Sequence, residues 1–152
     1  MMYTTVEARQ KVLGDVSIAI AQIGVALTAL GEAYEALDEQ TADALEAQLF
    51  RPVQAACGRA KRTQAEFAAR SGLAFRSLEA GPAGSPSQSV QTLIDRAVLA
   101  AGEADQTIAE LQDSMLPVEV GDPELRAGLS GVRETLAVLP SRARELVRTV
   151  GR

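Results

Sequence analysis

From Val6 to Leu37 the apolar positions step by three and four residues without a slip. They are Val6, Leu13, Val16, Ile20, Ile23, Leu27, Leu30, Tyr34 and Leu37, with Arg9 the one charged residue on the stripe. This heptad spacing predicts a helix of about 32 residues, roughly 48 Å long at 1.5 Å per residue. Thr4 and Glu7 have the spacing of a capping box at its start. The flanks of the stripe are small, with Ala19, Ala26 and Ala33 on one side and Gly24 and Gly31 on the other. Ile18 and Val25 lie on the far face. A helix apolar over more than one stripe belongs inside a bundle or under a partner.

A turn at Asp38–Gln40 leads to a second helix capped by Thr41, with Leu45, Leu49, Val53, Ala56, Ala60 and Phe67 as its stripe. Pro52 falls inside this run and predicts a kink or break near Phe50. Gly72 is suited to end the helix, and Leu73–Leu78 can add a short helical turn. The stretch AGPAGSPSQS from Ala80 to Ser89 reads as a linker, with Ser85 and Pro86 starting a third helix. Its stripe is Val90, Ile94, Ala97, Ala101, Ala104, Ile108, Leu111 and Met115, closed by Pro117 and Gly121. Asp122-Pro123-Glu124 opens a fourth helix along Leu125, Leu129, Val132, Leu136, Leu139, Ala143, Leu146 and Val150. The phase runs through Pro140, so one kinked helix is expected there.

The fold class read from this pattern is all-α: an antiparallel four-helix bundle made of two long helical hairpins, with helices 2 and 4 kinked at Pro52 and Pro140. It forms a single domain over 1–152, with a hairpin at 4–72, a linker at 73–85 and a hairpin at 86–150. A flexible link between two similar hairpins also makes swapping of hairpins between two chains cheap.

Composition supports the helical class, because aromatics are only 3% and Ala, Leu and Val dominate. The net charge of −5 argues against a general nucleic-acid binder. There is no His, which removes the usual proton shuttle and the Glu-x-x-His pair of di-iron bundles, so no metal site and no cofactor is expected. The lone Cys57 has no His or second Cys to act with and reads as a small core residue. No catalytic constellation is found, and a non-enzymatic role is expected. The N-terminus lacks the basic-then-apolar plan of a signal peptide. Ile18–Leu30, interrupted by Gln22, Gly24 and Thr28, reads as too short to span a bilayer. The expected location is the cytoplasm.

If both hairpin tips lie at one end, acids gather there and basic residues gather at the other. Arg9, Arg62, Arg70, Arg142, Arg144 and Arg148 then form a basic end able to meet an anion or an acidic partner. Much of this charge also suits the helix dipoles.

Tyr34-Glu35-Ala36-Leu37-Asp38 fits a Tyr-x-x-x-Asp/Glu signal and resembles that of type VII secretion substrates, which are leaderless helical hairpins. The resemblance covers these five residues. The Trp-x-Gly turn of that family is absent, and Tyr34 closes the first helix instead of following the second. What the resemblance implies is export without a signal peptide, through Tyr34 and Asp38.

Three functional readings follow. The first is a protein-interaction or self-association module, including a homodimer, using Ile18 and Val25. The second is small-ligand or anion binding in the bundle core or at its Arg-rich end. The third is leaderless export.

Overall fold

The computed structural model describes residues 5–82 and 88–150. Helix makes up 84% of it, and no strand occurs among the described residues, so the class is all-α. The elements are α1 (Thr5–Glu35), α2 (Glu39–Leu45), a π-helical turn (Glu46–Phe50), α3 (Arg51–Ser71), α4 (Val90–Asp113), α5 (Leu116–Glu119), α6 (Pro123–Leu136) and α7 (Leu139–Val150). The expected caps at Thr4 and at Ser85–Pro86 lie outside the described residues.

Several boundaries follow from local chemistry. Asp38, not Thr41, precedes the helix after the first turn. Pro52 has no N–H to give to the Gln48 carbonyl four residues earlier. The chain takes up this break as the π turn, and Arg142 Nη1 of α7 donates to Gln48 O at 3.4 Å. Gly72 ends α3 in the left-handed region at φ 65°, as its position suggested. Ser89 caps α4, with Thr92 N–H donating to its hydroxyl at 3.1 Å. Met115, expected on the third stripe, instead takes a left-handed φ of 66° and is exposed. It turns the chain into α5. Asp122 caps α6 by accepting from Leu125 N–H at 2.9 Å. Ala137 and Val138 form a turn between α6 and α7 just before Pro140.

The stripes expected on α3, α6 and α7 are buried wherever their side chains are described. The expected stripe on α1 is buried along its middle, at Leu13, Val16, Ile23 and Leu30, but not at its ends, where Val6 is 55% and Tyr34 37% exposed. The buried face widens over Val12, Ala19, Ala26 and Ala33. The core face is turned toward the small residues because α1 packs most extensively on α4. The buried alanines Ala97, Ala100, Ala101 and Ala104 of α4 share in that core. Small side chains on both helices allow close approach.

Pairwise contacts fix the arrangement. α3 runs antiparallel to α1, with Gln64 bonded to Leu13 and Ser17. α6 runs antiparallel to α3, with Arg70 on Asp122 and Arg59 on Ala127. α4 lies antiparallel to both α6 and α1, with Gln112 on Ser130, Arg133 on Asp105 and Thr107 on Gln22. α3 and α4 therefore run parallel, on opposite sides of the shared core. The chain must return along the molecule between them. Residues 73–82 do so without helix, in place of the helical turn expected at Leu73–Leu78.

By length and composition alone α1 is long enough and apolar enough to cross a membrane, as the core helix of a soluble bundle also can be. Half of the apolar window is buried inside this fold.

Candidate functional site

The returning segment 73–82 is stitched to the outside of α1. Ser17 Oγ donates to Arg76 O at 2.8 Å, and Gln10 Nε2 donates to Ala74 O at 3.3 Å. At Gly24 a Cβ would stand 2.8 Å from Ala80 Cβ, so glycine is what lets the segment approach. Just beyond, Gly81 lies over Val25, which is only 9% exposed.

Behind these stitches stands a buried polar pair. Gln64 of α3 is 4% exposed, and its Nε2 donates to Leu13 O at 3.0 Å and to Ser17 Oγ at 2.7 Å. Gln64 Oε1 accepts from no described residue. A hydrogen-bond chain thus links α3, α1 and the segment.

Between those three elements lies an open cleft with a volume of about 520 Å³. Ile20 and Leu27 of α1 and Phe75 and Leu78 of the segment give it apolar walls. Ala21, Gly24, Ala65 and Ala80 leave it wide. Cys57, buried as expected, lines it beside Gln64. Lys61 is the only charged side chain among the described residues of its lining. Among the described residues no carboxylate lies within ion-pair distance of Lys61. The volume falls in the range of small-molecule sites, about 300–1,000 Å³. The side chains can bind and orient a molecule, and no group of metal-ligating residues occurs among those described.

The six arginines of the expected basic end are not brought together. Because the segment 73–82 carries the chain back along α1, the two hairpin tips lie at opposite ends. The second tip therefore meets the C-terminal end of α3. There Arg70 makes a two-pronged bond to Asp122 at 2.8 Å and reaches Glu124 at 2.9 Å. Burial pushes the Asp122 carboxyl up, but the bonds from Arg70 and Leu125 N–H outweigh it and hold it below the usual aspartate value. Donating to Asp122 raises the Arg70 guanidinium above its usual value in turn. Arg9 and Arg62 sit on α1 and α3 near that end. Arg142, Arg144 and Arg148 are at the other end, near the first tip. Arg142 is engaged with Gln48, and Arg144 and Arg148 share a shallow groove with Asp95.

Of the expected interface pair, Val25 is covered by the chain itself and Ile18 remains 42% exposed. Tyr34 is a surface residue at the end of α1, and Asp38 is exposed in the turn that follows.

The residues of the cleft were missed in the sequence, yet a signal was present. Gln64 stands between Ala60 and Phe67 at a position where the stripe of α3 calls for an apolar side chain. A polar residue there needs a buried partner.

No family model matches this chain, and no curated protein or solved structure is similar to it.

Proposed function

We propose that the chain is a single four-helix bundle, with α2–α3 and α6–α7 each acting as one rod kinked near Pro52 and Pro140, and that it binds a small apolar molecule without transforming it. The observation that carries this reading is the 520 Å³ cleft between α1, α3 and residues 73–82. Its apolar walls supply the affinity, and its few polar groups supply orientation. The cytoplasm remains the proposed location.

A neutral apolar fluorophore such as N-phenyl-1-naphthylamine tests this. Its emission should rise and saturate at one probe per chain. Ala65 lines the cleft and is exposed, so Ala65→Phe fills the space without disturbing the core. That variant should weaken binding at least tenfold with an unchanged melting temperature. Unsaturable binding, or binding indifferent to Ala65→Phe, removes the reading.

Self-association keeps one support, since Ile18 and Leu99, 42% and 55% exposed, stand on the packed pair α1 and α4. Light scattering at low and high salt separates the two readings. A dimer at both salts that Ile18→Glu dissociates favours self-association, and a strict monomer ends it.

A further inference from the structure

We infer that the molecule taken up by the cleft is an anionic amphiphile, a single apolar chain ending in a carboxylate or a similar acid, with its head at Lys61 and its tail along Ile20, Leu27, Phe75 and Leu78. This rests on the ligand-binding reading above and narrows it to a chemical class.

Two independent features carry the inference. The first is charge. Among the described residues Lys61 is the one charged side chain in the lining, and it has no ion-pair partner there. The neighbouring Arg59 and Arg62 of α3 make no ion pair with a described residue either, so among the described residues the middle of α3 carries unpaired positive charge in a molecule of net charge −5. The other lysine, Lys11, is by contrast paired with Asp15 at 2.9 Å. A cation at the rim of an apolar cleft favours an anion whose tail is drawn in by burial.

The second feature is a polar group inside. Gln64 is more than nine-tenths buried, lines the cleft and donates from Nε2 twice to α1. Its Oε1 takes no donor from the described residues and is not sealed from the cleft, so it is open to a donor on a bound molecule. A hydroxyl or amide N–H beside the acid answers it, so Gln64 adds to the fit of the head while Lys61 sets its charge and ranks dodecanoate over dodecanol. A neutral hydrocarbon leaves both Lys61 and Gln64 unanswered.

The test displaces N-phenyl-1-naphthylamine with dodecanoate, dodecanol and dodecylammonium, each below its micelle concentration. Dodecanoate should bind at least tenfold more tightly than dodecanol, and dodecylammonium more weakly than either. Lys61→Met should abolish the preference for dodecanoate while leaving dodecanol unchanged, and Lys61→Arg should keep it. Lys61 is exposed, so the folding of both variants can be verified from unchanged melting. Equal binding of dodecanoate and dodecanol overturns the anionic class but leaves the apolar cleft standing. Tighter binding of dodecylammonium, or a preference that survives Lys61→Met, overturns it equally. Failure of the naphthylamine itself to bind removes the cleft as a site, and this inference with it.

Discussion

At Gly128 the chain carries no side chain because α3 leaves no room for one. A Cβ there would stand 2.6 Å from Thr63 Cγ2 and 2.9 Å from Thr63 Cβ. Thr63 is itself buried, so it has nowhere to retreat. Gly128→Ala is expected to cost about 1–3 kcal/mol by overpacking. In a Thr63→Ala background the same change should cost less, because the hydroxyl and methyl contacts go while the 2.9 Å approach to the Cβ stays. Urea denaturation of the four variants measures the coupling, and additive effects would show that the two residues do not meet. Gln64 teaches a related lesson at this scale. Its place on an apolar stripe was legible, but its partners were not, because Leu13 and Ser17 are more than forty residues away in sequence. Val25 looked like surplus apolar surface for the same reason. The segment that covers it reads locally as a linker.

Among the elements, stripes were easier to read than ends. Repeats of three and four found α1, α3, α4, α6 and α7. The π-helical turn before Pro52 and the turn at Ala137–Val138 before Pro140 fall where proline removes a specific donor. The π turn and the answer of Arg142 to Gln48 depend on what packs nearby, and local sequence does not encode that. The stripe on α1 held along its middle but failed at its ends and missed the alanine face, because large side chains were given more weight than small ones. Where two alanine-rich faces meet, the alanines mark the contact and Tyr34 is pushed to the surface. The junction of α3 with α6 yields a pH prediction. Asp122 has a folded pKa below the 3.8 of a free aspartate, so its stabilisation is complete above that value and fades as the pH falls through the lower one. Asp122→Asn keeps the helix cap but loses the charge. It should cost about 1 kcal/mol at pH 7, the upper part of the range for a partly exposed pair, because the Arg70 bond is two-pronged. The difference from wild type should shrink as the pH falls through the lowered Asp122 pKa. A constant difference across the acid range, measured by denaturant melts, would contradict this assignment.

For the whole molecule, the helical class was legible and the direction of the second hairpin was not. Short turns within each hairpin say nothing about how the hairpins face each other. The decision lies in ten residues, 73–82, that run back along α1. They set the tips at opposite ends, divide the arginines and create the cleft. Spin labels at Ala36 and Val118, both exposed, in a Cys57→Ala background measure this directly. With α1 31 residues long, the labels should be on the order of 45 Å apart. A separation near two helix widths, about 20 Å, would put both tips at one end. The most direct test of the account as a whole is where a small apolar molecule settles. Methyl-labelled protein titrated with N-phenyl-1-naphthylamine should show saturating shifts at Ile20, Leu27 and Leu78, with Ile94, Ile108 and Leu129 of the closed core unmoved. Shifts spread over the whole surface, or confined to residues outside the cleft, would contradict it.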